Sequence, residues 1–446
     1  MTANRERTAG TGLAVLVWFS VLAGDAWRNS LSWYGYGAVV FLLLLCTLVH
    51  LSRVPDIRWR TLPVPLMAFL ALATASIAWS FYPAVSAAGV AIQWATTIAA
   101  LFLTLSLRWT DNVAALGTTV RFILAASLAF ELIAAAVLRR PLFPFFTDYG
   151  GRDVPDAYYW TRAELFEGGR IQGIVGNSNL LGMIALLALI VIGVQLACGT
   201  VRRRTGYSWL VVAVTTFALA RSATAFAALL VTLGVLAVAL IARRLTARGR
   251  LALAAGVVAA GAVGAVAVSA WSARILGILG RSPDLTGRLD IWAAVRDLAV
   301  TRPVAGWGWT SYWAPWVEPF DDLALRNGVR YLQAHNAYLD VWFQLGAIGL
   351  AVFLCLVLST AARAWWIAID RPQRSADAPL PFSAMDLLPV LLLAALLTQS
   401  LAESRILLEG GWVLLCVLAV ATKLGTARSE YDPPKRTPRS IRGIRR

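Results

Sequence analysis

Histidine occurs twice in the 446 residues, lysine twice and cysteine four times, and only 14% of the chain is charged. Scarce charge beside 59% hydrophobic residues and a mean hydropathy of +0.68 excludes an ordinary soluble domain. Cys46, Cys198, Cys355 and Cys416 fall in or at the ends of apolar runs, with no metal-ligand spacing, and read as packing residues. No DxD, HExxH or nucleotide-binding loop occurs, so neither a metal nor a cofactor is expected. A cleavable leader is not expected either: MTANRER runs into an apolar segment that lacks a small-residue cleavage site.

What is present is long apolar segments. A helix needs about 20 such residues to cross roughly 30 Å of hydrocarbon, and the runs predict an all-α, polytopic membrane protein of about twelve spans. Strand barrels are excluded by runs that are continuously apolar and do not alternate. The domain plan is a transmembrane region over 1–424, with a first long loop at 139–171, a second at 272–340 containing an amphipathic helix, and a basic tail at 425–446. The stretch 209–242 is too short for two ordinary spans and long for one. Arginine clusters at both its ends favour two short spans meeting at Arg221.

The net charge of +16 follows topology, and no nucleic-acid partner is expected. With the N-terminus inside, inner segments hold 24 Lys and Arg, whereas the short outer links hold only Arg28, Arg221 and Arg405. Both termini are therefore expected in the cytoplasm and both long loops outside. The first loop mixes five arginines with five acids, as a folded extramembrane segment would. The tail is expected near anionic lipid.

Four places could carry chemistry. Arg221, flanked by apolar residues on both sides, costs about 2.5 to 3.5 kcal/mol if held at mid-bilayer, and calls for an anion or water; otherwise it is a loop arginine at the interface. Arg288 precedes LDIWAAVRDLAV, read as an amphipathic helix lying on the membrane, and would bind an anion or pair with Asp284 or Asp290. His335 stands beside Asn336 before an apolar span, where a lipid headgroup and a soluble partner meet. An imidazole can take a proton from an attacking alcohol there, or serve only structure. Finally, GRIQGIVGNSNLLG over 169–182 opens a span with glycines and asparagines, either as an anion-facing helix mouth or as a cap made by Asn177 or Ser178. The aromatics from Trp307 to Trp316 suit sugar stacking or an interfacial belt.

The elements GR, IW, RP, GWG and HNAYL…LGAIGL, preceded by ARSATAFAALL and GIVGNSNLLG, resemble the O-antigen ligase and polymerase superfamily of bacterial envelopes. The resemblance covers about 169–360 in motifs and most of the chain in span pattern. It implies a multi-pass inner-membrane glycosyltransferase that moves a glycan from a polyprenyl-diphosphate carrier to an acceptor hydroxyl on the outer face. It further implies His335 as catalytic histidine and Arg221, Arg288 and Arg170 as diphosphate-binding residues. Ala220 departs from the family, where serine often precedes the arginine. A transporter or flippase of lipid-linked glycan is the alternative; it should show inverted repeats, and none is persuasive here.

Overall fold

The computed structural model describes residues 2–54, 62–147, 149–150, 154–278, 288–326, 329–370 and 381–426, with 2–7, 265, 267–278 and 326 as backbone only. Most of residues 425–446, and Asp284, lie outside these ranges. The described chain is helical. Its strands are a two-residue pair, Leu325–Arg326 with Val329–Arg330, and an isolated bridge between Leu142 and Thr161.

Helices α1 (Thr2–Leu22) and α2 (Gly24–Leu51) are joined at Ala23; α3 (Val64–Ala75), α4 (Pro83–Leu105) and α5 (Trp109–Leu132) follow. Next come α6 (Ser178–Ala197), α7 (Arg203–Ala220), α8 (Ala223–Ala242) and α9 (Ala247–Ile278). The last four are α10 (Arg288–Ala299), α11 (Ala337–Ile369), α12 (Leu388–Ser400) and α13 (Glu409–Leu424). Among the described residues, 7 helices are long and apolar enough to cross a membrane, and shorter apolar helices lie at Thr8–Leu22, Val64–Trp79 and Met385–Ser400. The all-helical, multi-pass class read from the sequence is borne out.

Apolar residues serve two environments. Helix α6 is apolar all round because it is enclosed on most sides, with Ile184, Leu186, Val191 and Ile192 fully buried. Elsewhere Phe41, Leu42, Val231 and Leu240 point outward and are exposed, which is stable only where the solvent is hydrocarbon.

The link expected around Arg28 falls inside α2, where the helix is broken at Ser32 (φ +70°), and a further break falls at Ala23. One boundary differs from the sequence reading. The second long loop was expected from residue 272, but α9 continues to Ile278. Helix α10 forms where its periodicity predicts, but it does not spread its apolar stripe on lipid. Ile291, Val295 and Ala299, spaced one turn apart, are buried with Trp313, Phe320 and Phe343 of the same chain. Intramolecular aromatic surface wins over the bilayer because it offers that stripe a close-packed partner.

The GWG and LGAIGL motifs are halves of one joint. At Gly346, φ +67° interrupts α11 and frees the carbonyls of Phe343 and Gln344. The amide of Trp307 donates to the first (3.1 Å) and that of Gly308 to the second (2.9 Å). A Cβ at Gly346 would lie 2.1 Å from the Val304 carbonyl oxygen, so only glycine permits both the turn and the approach. The joint fixes the loop after α10 against α11, and so fixes the level of His335 above the bundle.

Candidate functional site

One face of the bundle gathers the C-terminal ends of α1, α7 and α12 and the N-terminal ends of α6, α8, α11 and α13. Gly410, near the start of α13, packs against Leu22 and the Val21 carbonyl at the end of α1. At this face Arg28 pairs with Asp25 and Glu409 (both 2.6 Å). Arg405 reaches Glu409 (3.6 Å) and accepts none of the load alone, since it also donates to the Tyr312 hydroxyl (3.1 Å). These contacts anchor the short link between α12 and α13, in which Glu403 is extended and Ser404–Leu407 form one tight helical turn. Gln333 clamps the link from the opposite side: its oxygen accepts from the Ser404 amide and its nitrogen donates to Glu403, each at 3.2 Å.

Glu403 is the centre of the site. Its Oε1 accepts from Arg288 Nη2 (2.6 Å) and Asn179 Nδ2 (3.2 Å); its Oε2 pairs with His335 Nδ1 (2.7 Å) and accepts from Gln333 (3.2 Å). Burial pushes the Glu403 pKa up, but His335, Arg288 and Arg405 outweigh it and hold the carboxyl down at about 2. A carboxylate that can only accept assigns the proton of the imidazole to Nδ1, leaving Nε2 as the basic nitrogen. Burial raises the Tyr312 hydroxyl to about 12, so it remains a neutral partner of Arg405.

His335 is held by its backbone as well. Its φ of +52° is uncommon for a residue with a Cβ, and tethers on both sides impose it. On one side the Ala334 amide donates to Asp340 Oδ2 (3.2 Å) and its carbonyl accepts from the Trp292 indole (3.0 Å). On the other, Asn336 caps α11 by accepting from the Tyr338 and Leu339 amides. Asp340 is fully engaged in this scaffold, accepting also from Trp313 (3.1 Å) and Gln344 (2.8 Å), and is buried. It positions the loop from within the core.

The arginines arrive from the α7–α8 turn and the segment before α6. Arg221 occupies the left-handed turn residue (φ +46°), and Ser222 caps α8 through the Ala225 amide (3.2 Å). Arg221 Nη1 donates to the Gly168 carbonyl. Arg170 donates from Nε to the Ala220 carbonyl (3.2 Å) and from Nη2 to Asn179 Oδ1 (2.7 Å). Ala220 contributes a main-chain oxygen here, so the departure from serine leaves the contact intact. The segment is pinned from below by buried Glu131, which accepts from the Gln172 and Gly173 amides (2.8 and 2.7 Å) and from Thr161 (2.7 Å).

Asn179 joins the two halves: its oxygen accepts from Arg170 and Ser222 (3.1 Å), and its nitrogen donates to Glu403. Arg170, Arg288 and His335 are thereby within one hydrogen-bonded cluster, and Arg221 sits on the adjoining turn. Of the two readings of GNSN, Asn177 is the cap of α6, accepting from Asn179 and Leu180, and Asn179 is part of the cluster. Among the described residues Arg288 pairs with Glu403 and not with Asp290; Asp284, the other expected partner, lies outside them. Glu403 and Asn179 were not singled out from sequence. The signal for Glu403 was a lone acid at the start of a short link between apolar helices. Of the tryptophans from 307 to 316, Trp309 and Trp313 are buried packing residues, while Trp316 is exposed.

Residues 208–354 match the O-antigen ligase family, a stretch that includes Arg221, Arg288 and His335. A candidate polysaccharide ligase of Rickettsia prowazekii is 34% identical over 84 residues, 18% of this chain and 20% of that protein. Another from Rickettsia conorii is 33% identical over the same length and shares. The matched region thus spans 20% of the length of these curated relatives. The stretch that holds three of the four expected site residues is thus similar to the O-antigen ligase family and, in part, to these polysaccharide ligases.

Proposed function

We propose that the protein is a metal-independent glycosyltransferase of the bacterial inner membrane. It moves a glycan from a polyprenyl-diphosphate carrier to an acceptor hydroxyl on the outer face, as a ligase or polymerase of envelope polysaccharide. In this reading twelve helices span the membrane, all but α10, both termini are cytoplasmic, and the loops over 139–171 and 272–340 lie outside. The observation that carries the reading is the Glu403–His335 pair within the same cluster as Arg170 and Arg288.

The chemistry follows from those contacts. Nε2 of His335 takes the acceptor's hydroxyl proton as its oxygen bonds to the anomeric carbon. The bond from that carbon to the diphosphate oxygen breaks with its electron pair, and the departing dianionic group gains charge where Arg221 and Arg170 stand. Guanidinium groups suit that load because their planar N–H pairs match phosphate oxygens. Arg288, tied to Glu403 through Nη2, presents its remaining N–H groups in a fixed direction. The proton on His335 then passes to the released diphosphate or to water, and Glu403 stabilises the transient imidazolium. A transporter gripping the same diphosphate would use such a pair only as a proton relay and would leave the glycan on its carrier.

The test is direct. Purified full chain is incubated with a defined polyprenyl-diphosphate glycan and candidate acceptors, and release of polyprenyl diphosphate is measured with the glycosylated product. Stoichiometric appearance of both supports transfer. Movement of intact donor across a bilayer with neither product supports the carrier alternative instead.

A further inference from the structure

A second cation on the same loop takes no part in the cluster around Glu403. Among the described residues, Arg302 has no carboxylate partner; its guanidinium lies over the rings of Phe81 (3.9 Å) and Trp307 (5.5 Å). It borders a shallow notch of about 310 Å³, whose other walls are Trp79, Pro303, Val304, Ala305 and Gly306. None of these residues bonds to Glu403, His335 or Arg288.

The notch is built, not incidental. The Trp79 indole donates to the Ala305 carbonyl (3.0 Å), that of Trp342 to Pro303 (3.2 Å) and that of Trp307 to Leu298 (3.1 Å). The Phe81 amide joins the two walls by donating to the Trp307 carbonyl (3.2 Å). The Phe81 and Trp307 rings, with centroids 4.5 Å apart, lie on one side of the guanidinium and leave its N–H groups available at the rim to grip a phosphate. Around it Phe81 (55% exposed), Val304 (59%) and Ile348 (49%) present apolar surface. Three anchored indoles, an unpaired cation and exposed apolar side chains together mark the depth where headgroups meet acyl chains.

We propose that this notch binds the phosphate of one anionic phospholipid, with its acyl chains running down past Val304 and Ile348. A soluble phosphate would leave that apolar flank uncovered. The occupant is a bilayer lipid, and the site is separate from the transfer centre. Because the loop that carries Arg302 also carries the joint to Gly346, a bound lipid braces the scaffold under His335.

The full chain in detergent micelles is titrated with dioleoyl phosphatidylglycerol, dioleoyl phosphatidylcholine or inorganic phosphate, and bound lipid is counted by native mass spectrometry. Wild type should retain one phosphatidylglycerol that Arg302→Gln binds about tenfold more weakly, the loss expected for one charge-assisted contact. Phosphatidylcholine should be held less well, and millimolar inorganic phosphate should not displace the anionic lipid. Equal retention by Arg302→Gln, equal binding of phosphatidylcholine, or displacement by inorganic phosphate would each overturn the assignment. Should Arg302→Gln fail to fold, Arg302→Lys serves: it keeps the charge but loses the fork, so a several-fold weakening supports the proposal and wild-type affinity refutes it.

Discussion

Replacing Glu403 by glutamine keeps the shape of the side chain and removes its charge, and the geometry dictates the consequence. Glu403 meets donors on both oxygens, Arg288 and Asn179 on one, His335 and Gln333 on the other. An amide has one oxygen and one NH₂, so one side must face hydrogen against hydrogen. Arg288 is permanently charged and takes the oxygen, which turns the NH₂ toward His335 Nδ1. That nitrogen must then become an acceptor, the ring proton moves to Nε2, and the base is switched off. The loss is the general-base contribution, about 10² to 10⁴ in rate. Stability should fall as well, by on the order of 3 kcal/mol, because Arg288 and the polar groups around it lose a buried anion. Single-turnover transfer and donor binding on the same Glu403→Gln preparation separate these effects. Transfer within a few-fold of wild type would refute the claim that Glu403 sets the histidine; Glu403→Asp, which keeps the charge, should recover part of the rate.

The pH dependence of stability has a definite sign. The Glu403 carboxyl is held at about 2, below its ordinary value of 4.5, so its contribution is complete above pH 4.5 and lost as the pH falls toward 2. The difference in melting temperature between wild type and Glu403→Gln should therefore be constant at neutral pH and shrink over that acid window; a difference that grows there contradicts the linkage. Gly346→Ala places a Cβ 2.1 Å from the Val304 oxygen at a positive φ, and should cost more than about 2 kcal/mol in denaturant unfolding and disable transfer; an unchanged midpoint would dissolve the proposed joint. Topology is tested in a cysteine-free background: Glu167→Cys and Trp316→Cys should react with an impermeant thiol reagent outside spheroplasts, and Arg203→Cys only after lysis. The reverse pattern inverts the protein.

Much of the fold was legible because one physical demand dominates it: a backbone in hydrocarbon must bond to itself, so apolar run length reports helices directly. The turn at Arg221 was readable from the stretch 209–242, whose 34 residues between two arginine clusters fit two short helices meeting at that residue. The arginines and His335 were legible as types of residue in the right surroundings. Glu403 was not, because its meaning depends on contacts 68 residues from His335 and 115 from Arg288, and no local pattern records them. Helix α10 shows the same limit from another side. Its stripe was read correctly as apolar, but sequence periodicity is silent on whether lipid or Phe343 covers it.

The central claim is that His335 deprotonates the acceptor. It is tested most directly by measuring donor affinity and single-turnover transfer on one purified His335→Ala preparation. The account predicts unchanged binding of the lipid-linked donor and transfer slower by about 10² to 10⁴. Intact transfer, or loss of donor binding together with transfer, would contradict it and leave His335 as a structural or diphosphate-binding residue.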